Sequence, residues 1–239
     1  MKAKDRHELK QDEFAKSAIR VAARLRENQN RVLAIVGIAL ALLVAAGGFY
    51  FWKSGQEDKA GVLLGNAYAI RQSAIAPPST LPGAAQAPNT FPTEIARGDA
   101  AIAAFQQVVT SYPSTSAAVA AHYEIAATQL ELGRFAEAEA GFNKVAEEKQ
   151  EPYSSTARLG LAEALLAQGK NDQALKLLTD LSAERDGPLP IESVLIQLAR
   201  ANVKAGKPQE ARAAYKRVVD EFADSQYAAD ARQALASLN

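Results

Sequence analysis

The sequence predicts an all-α protein, with an N-terminal transmembrane helix followed by an α-solenoid of stacked helical hairpins. Three observations predict it. Residues 32–52, VLAIVGIALALLVAAGGFYFW, run for 21 positions without a charge. Beyond them, small and large apolar residues recur at fixed offsets from Gly133, Gly169 and Gly206. The composition is 48% hydrophobic but only 7% aromatic, with abundant alanine, which suits close helix–helix packing better than a β-sandwich.

Residues 1–31 form a basic segment. Phe14, Ala18, Val21, Ala22 and Leu25 fall on one helical stripe, with Lys16, Arg20, Arg24 and Arg26 on the remaining surface. Such a helix either lies on anionic lipid or a partner, or serves as a solvated lead-in that only enforces topology; the residues leave both open.

As a helix, residues 32–52 would extend about 31 Å, the thickness of a bilayer's hydrocarbon core. The run ends in Phe49, Tyr50, Phe51 and Trp52, the rings favoured at a membrane interface, and Lys53 follows. A cleaved signal fits poorly, since 31 residues precede the run and its length exceeds the roughly 7–15 residues of a signal's apolar region. Nine Lys/Arg precede the span, and only Lys53, Lys59 and Arg71 follow within about 20 residues. This bias predicts a single-pass protein with a cytoplasmic N-terminus and the large domain, residues 53–239, across the membrane.

That domain carries 18 Lys/Arg against 22 Asp/Glu, a mildly acidic balance that argues against nucleic acid as a partner. The absence of cysteine excludes disulfides, thiol catalysis and thiolate metal sites. No H-E-x-x-H, Gly-rich phosphate loop or G-x-S-x-G is present. His7 and His122 have no acid–base partner suggested by the sequence, and the carboxylate pairs lie on amphipathic helices as solvated faces. These features predict no enzyme, no cofactor and no small-molecule substrate; the partners would be proteins, and lipid around residues 32–52.

The three turn glycines are 36 and 37 residues apart. Seven residues before each stands Ala126, Ala162 or Ala199, and five after it Ala138, Ala174 or Ala211. Phe142, Leu178 and Tyr215 follow, then Val145, Leu181 and Val218. Antiparallel helices approach closely only where one presents a small residue to the other's large one, and each hairpin keeps an apolar face that the next must cover. The pattern resembles a degenerate tetratricopeptide (TPR) array. It departs from the family in having His122, Arg158 and Leu195 where a large aromatic begins the first helix, and in lacking the closing proline.

Leu64, Gly65 and Tyr68 have the spacing of a first TPR helix, Leu-Gly-x-x-Tyr. Its second helix is delayed: Ala101, Phe105, Val108, Tyr112 and Pro113 take the expected offsets only after 24 additional residues. A Pro-rich loop at 75–93, holding five of the ten prolines in the chain, thus splits the first repeat. Tyr227, Ala231, Leu235 and Leu238 form one stripe of a capping helix at 225–238.

The TPR resemblance implies a concave face lined by first-helix positions. Mapped repeat by repeat, its candidate protein-binding residues are Tyr123, Glu124 and Glu131, then Glu163, then Gln197, Arg200 and Lys204. The face is acidic toward the first full repeat and basic toward the last.

A cytoplasmic tail, one span ending in aromatics, a short polar link and a TPR-like domain together resemble the bacterial ancillary subunit of the SecYEG translocon. The likeness is tightest at GGFYFWKSGQEDKAGVLLGNAYAI. It implies an anchored adaptor at the periplasmic face of the bacterial inner membrane, associated with translocon subunits and passing emerging unfolded polypeptides to periplasmic chaperones. The alternative is a structural scaffold of an envelope complex, for cell division or outer-membrane assembly.

Overall fold

The computed structural model describes residues 29–77 and 87–238; the stripe at 14–25 and the middle of the Pro-rich segment lie outside them. Among the described residues the order is α1 (Gln29–Arg71), β1 (Ala74–Ile75), β2 (Thr90–Phe91), α2 (Glu94–Ser111), α3 (Ser116–Glu131) and α4 (Phe135–Glu147). It continues with α5 (Tyr153–Ala167), α6 (Asn171–Ala183), α7 (Ile191–Lys204), α8 (Pro208–Glu221) and α9 (Ala228–Ser237). The chain divides into two compact units, Met1–Gly55 and Gln56–Asn239.

In the first unit the described residues are helical, and Leu33, Ile35, Leu40, Leu42, Leu43 and Val44 are all exposed. The helix is long and apolar enough to cross a membrane. The short polar link expected after the span is helical as well, since the helix runs on to Arg71. Gln56, Glu57, Lys59 and Ala60 are good helix formers, no proline intervenes, and a single glycine, Gly55, costs only about 1 kcal/mol.

The second unit is a stack of hairpins. Helices α3, α5 and α7 each end in the same turn, with Gly133, Gly169 and Gly206 at φ of 73°, 75° and 71°. This left-handed conformation favours glycine because a Cβ would crowd the backbone. In each turn the glycine amide and the next one reach back to the helix's last carbonyls: Gly133 to Leu130 at 3.0 Å, and Arg134 to Gln129 at 2.8 Å. Lys170 to Leu165 (2.9 Å) and Lys207 to Asn202 (2.8 Å) repeat the longer bond. The motif satisfies carbonyls that a helix end leaves bare and fixes where the second helix departs.

The repeating positions are the core. Ala126, Ala162, Ala199, Ala138, Ala174 and Ala211 are all buried, as are Phe142, Leu178, Tyr215, Val145, Leu181 and Val218. Helices approach closely enough to require glycine at two further sites, one within a hairpin and one between hairpins. A Cβ on Gly141 would lie 2.8 Å from that of Ala126, and one on Gly160 2.5 Å from the Phe142 ring.

Helix α2 supplies the delayed second helix. Thr93 caps its N-terminus by accepting from the Ala96 amide, and Ala101, Phe105 and Val108 are buried against Ala60, Ala67, Ala117 and Ala121. The ends of the insertion are joined by a parallel strand pair, Ala74 opposite Thr90 and Ile75 opposite Phe91, that the helical periodicity did not reveal. Arg97 of α2 also donates to the Ser73 carbonyl at 3.3 Å. At Gly65 the packing reason for a small residue does not hold. It is exposed, with nothing within 4 Å of a Cβ position, and the fully buried small residues of α1 are Ala60 and Ala67. Tyr68 does pack inward, edge-on to Phe105 with ring centroids 5.4 Å apart.

Candidate functional site

The first helices of successive hairpins, α3, α5 and α7, line a cavity of about 500 Å3. On α5, Leu159, Glu163 and Leu166 follow one another at i, i+4 and i+7; on α7, Gln197, Arg200 and Lys204 stand at i, i+3 and i+7. Both sets are single helical stripes, so each helix turns one line of side chains to the opening. Tyr123 closes the α3 side, its ring centroid 5.8 Å from Phe142 and 6.1 Å from Tyr153. Burial, and then the negative charge of Glu124, push its hydroxyl above its ordinary pKa, so it remains a neutral donor. The lining is mixed in character, with Leu130, Phe135, Leu159 and Leu166 beside the polar residues. The volume lies within the usual range of ligand clefts, roughly 300–1,000 Å3.

Tyr123, Glu163, Gln197, Arg200 and Lys204 therefore lie around one opening, whereas Glu124 and Glu131 are engaged elsewhere. Glu124 is buried: it accepts from the Tyr68 hydroxyl at 2.9 Å and pairs with Arg71. The second amino group of Arg71 pairs with Glu131. Burial first, and then the bond to Glu124, hold the Tyr68 hydroxyl well above its ordinary pKa; this residue lies beyond the apolar run at 32–52. The acidic end expected of the concave face is thus neutralised from within. No local spacing signals this, because Arg71 and Glu124 are 53 positions apart across the Pro-rich insertion.

Among the described residues, Glu163, Arg200 and Lys204 are the charges in the cavity that form no ion pair. A second cavity, about 290 Å3, opens between α7 and α9, lined by Tyr215, Asp230, Gln233 and Ser237 among others. Arg200 borders both cavities. Helical periodicity marks only the apolar stripe of α9, Tyr227, Ala231, Leu235 and Leu238, and so carries no sign of this second opening.

No arrangement for acid–base chemistry surrounds the described histidine. His122 Nε2 accepts from Lys144 Nζ at 3.0 Å, and burial followed by the lysine's charge lowers its pKa. Among the described residues, no three His, Asp or Glu side chains gather as a metal-binding group.

Comparison with known proteins agrees with the architecture. Solved structures similar to this chain include three of TPR or TPR-like proteins. Two are of nearly identical TPR-like repeats from a Podospora anserina protein described as a kinesin light chain, one of them carrying a substitution. Each is 22% identical, covering 59% of this chain and 77% of the other, with a TM-score of 0.52. The third is a thermophilic TPR protein of Thermus thermophilus, 26% identical over 60% of this chain and 74% of the other, with a TM-score of 0.45. At 22% identity the first likeness speaks to fold alone. No curated protein matches the sequence. Residues 193–225 match the tetratricopeptide repeat family. Residues 25–186 match the tetratricopeptide repeat-like domain over most of the chain's length, and the chain belongs to that family.

Proposed function

We propose that the protein is a membrane-anchored adaptor that binds other proteins through the concave side of its TPR-like array. Repeats of this family are protein-interaction modules, and the observation that carries the reading here is the open cleft between α3, α5 and α7. Its apolar walls and unpaired Arg200 and Lys204 offer an extended polypeptide both burial and directional polar contacts. Residues 32–52 anchor the chain, with the N-terminus cytoplasmic and the array periplasmic. The support is the uncharged span, its exposed apolar side chains, and the nine-to-three imbalance of Lys/Arg across it. The resemblance at residues 47–70 supports association with the Sec translocon of a bacterial inner membrane and hand-over of emerging polypeptides to chaperones.

One experiment in intact cells tests anchor and cleft together. Cysteine placed at the exposed Asp224 should react with a membrane-impermeant reagent added from the periplasmic side, and cysteine at Ser17 should not. A photocrosslinking residue at Leu159 should capture translocon subunits together with many unrelated nascent chains. The reverse labelling pattern refutes the orientation. Capture of one fixed set of envelope proteins at constant ratio refutes the hand-over reading in favour of a scaffold.

A further inference from the structure

Resting on the adaptor reading, we infer that the cleft selects an extended segment in which an apolar side chain accompanies a single acidic one, the carboxylate seated at Arg200 and Lys204. Four observations lead there. Arg71 engages Glu124 and Glu131, which removes the acidic end of the concave face from competition for a partner. Arg200 and Lys204 are exposed, lie four residues apart on α7, and form no ion pair among the described residues. Arg200 borders both cavities, so a chain passing from one to the other crosses its guanidinium. Unpaired acids lie on either side of that crossing, Glu163 in the first cavity and Asp230 in the second.

The pattern along the path is thus acidic, basic, acidic. A segment with one carboxylate at the crossing meets two cations. A run of carboxylates would meet Glu163 and Asp230 as well, and like charges at an interface suppress the wrong partner. Leu130, Phe135 and Leu166 provide the apolar seat on the α3–α5 side. An arginine fork suits a carboxylate because two parallel N–H groups match its two oxygens.

The test uses the full chain in detergent micelles and three peptides, capped at both ends, carrying a neutral dansyl label, otherwise uncharged and built of Leu and Ser. They differ only at the central position, which is Glu, Gln or Lys. The Glu peptide should bind about fivefold more tightly than the Gln peptide, the factor expected of an exposed charge contact. The Lys peptide should bind most weakly, and about 0.5 M salt should level the three. The double variant Arg200→Glu/Lys204→Glu should reverse the order while leaving the fold intact, since both side chains are exposed and neither forms an ion pair among the described residues; melting should shift by no more than the loss of a cation at a helix C-terminus allows. Equal binding of the three peptides to the parent, no binding of any, or an unchanged order in the double variant overturns the inference. Crosslinks from Leu159 in cells, if they persist while the peptide order fails, leave the adaptor reading standing and remove only the charge selection.

Discussion

Gly160→Ala should destabilise the array, although it replaces the poorest ordinary helix former with the best. A Cβ at this position would lie 2.5, 2.6 and 2.8 Å from Cζ, Cε1 and Cε2 of Phe142. Non-bonded carbons rest about 3.5–4.0 Å apart, so ring or helix must give by about 1 Å. Phe142 is 1% exposed, and Tyr123, with its ring centroid 5.8 Å away, packs beside it. Overpacking of this kind costs about 1–3 kcal/mol, against a gain of about 0.8–1 kcal/mol in helix propensity. The net is a loss of up to about 2 kcal/mol. Gly65→Ala isolates the packing term, because nothing lies within 4 Å of its Cβ position. It should keep the propensity gain and stabilise by about 0.8–1 kcal/mol. Urea unfolding of the full chain in micelles, followed by far-UV circular dichroism, measures both. On a Phe142→Leu background, with the ring tip removed, Gly160→Ala should become favourable. If Gly160→Ala proves as stabilising as Gly65→Ala in the parent, the close approach of α4 and α5 is wrong.

Ala162→Leu, at a site 1% exposed, should overpack and cost about 1–3 kcal/mol, while Ala183→Leu on the exposed side of α6 should leave melting unchanged; equal melting of the two would refute the register. Arg71→Met leaves the Glu124 carboxylate buried with only the Tyr68 hydroxyl, and should cost about 1–3 kcal/mol, partly recovered by adding Glu124→Gln. A thermal melt indistinguishable from the parent would show that this pair holds nothing. His122 has a pKa below its ordinary 6.5, with burial the first cause and Lys144 the second, so the unfolded chain binds its proton more readily. Its contribution is present above about pH 6.5 and is lost as pH falls through the lower folded value. His122→Gln should flatten the fall in melting temperature below that point; an unaltered slope would place the acid sensitivity elsewhere.

The hairpin positions were legible because each is encoded locally. A left-handed turn needs glycine at one place, and a buried helix face recurs every 3.6 residues, so Gly133, Gly169 and Gly206 and the alanines at fixed offsets mark both turn and core. The same logic identified α2 across the 24-residue excess, from Ala101, Phe105 and Val108. It failed at Gly65, where a motif match stood in for packing and the close approach is made by Ala60 and Ala67. It also missed β1 and β2, since two-residue strands are too short to show alternation.

By itself the sequence determined the helix order, the turns, the apolar run at 32–52 and which faces stack. Which charges on the concave side lack a partner among the described residues depends on tertiary contacts. Helical spacing places Glu124, Glu131, Glu163, Arg200 and Lys204 on first-helix faces, but an ion pair depends on distance in space, and Arg71 reaches its two glutamates from another helix. Tertiary packing likewise sets Arg200 between two cavities, because α9, packed on α8, leaves an opening toward α7. Burial is periodic along a helix and can be read from a single chain; electrostatic neutralisation is a property of pairs, and folding alone brings those pairs together.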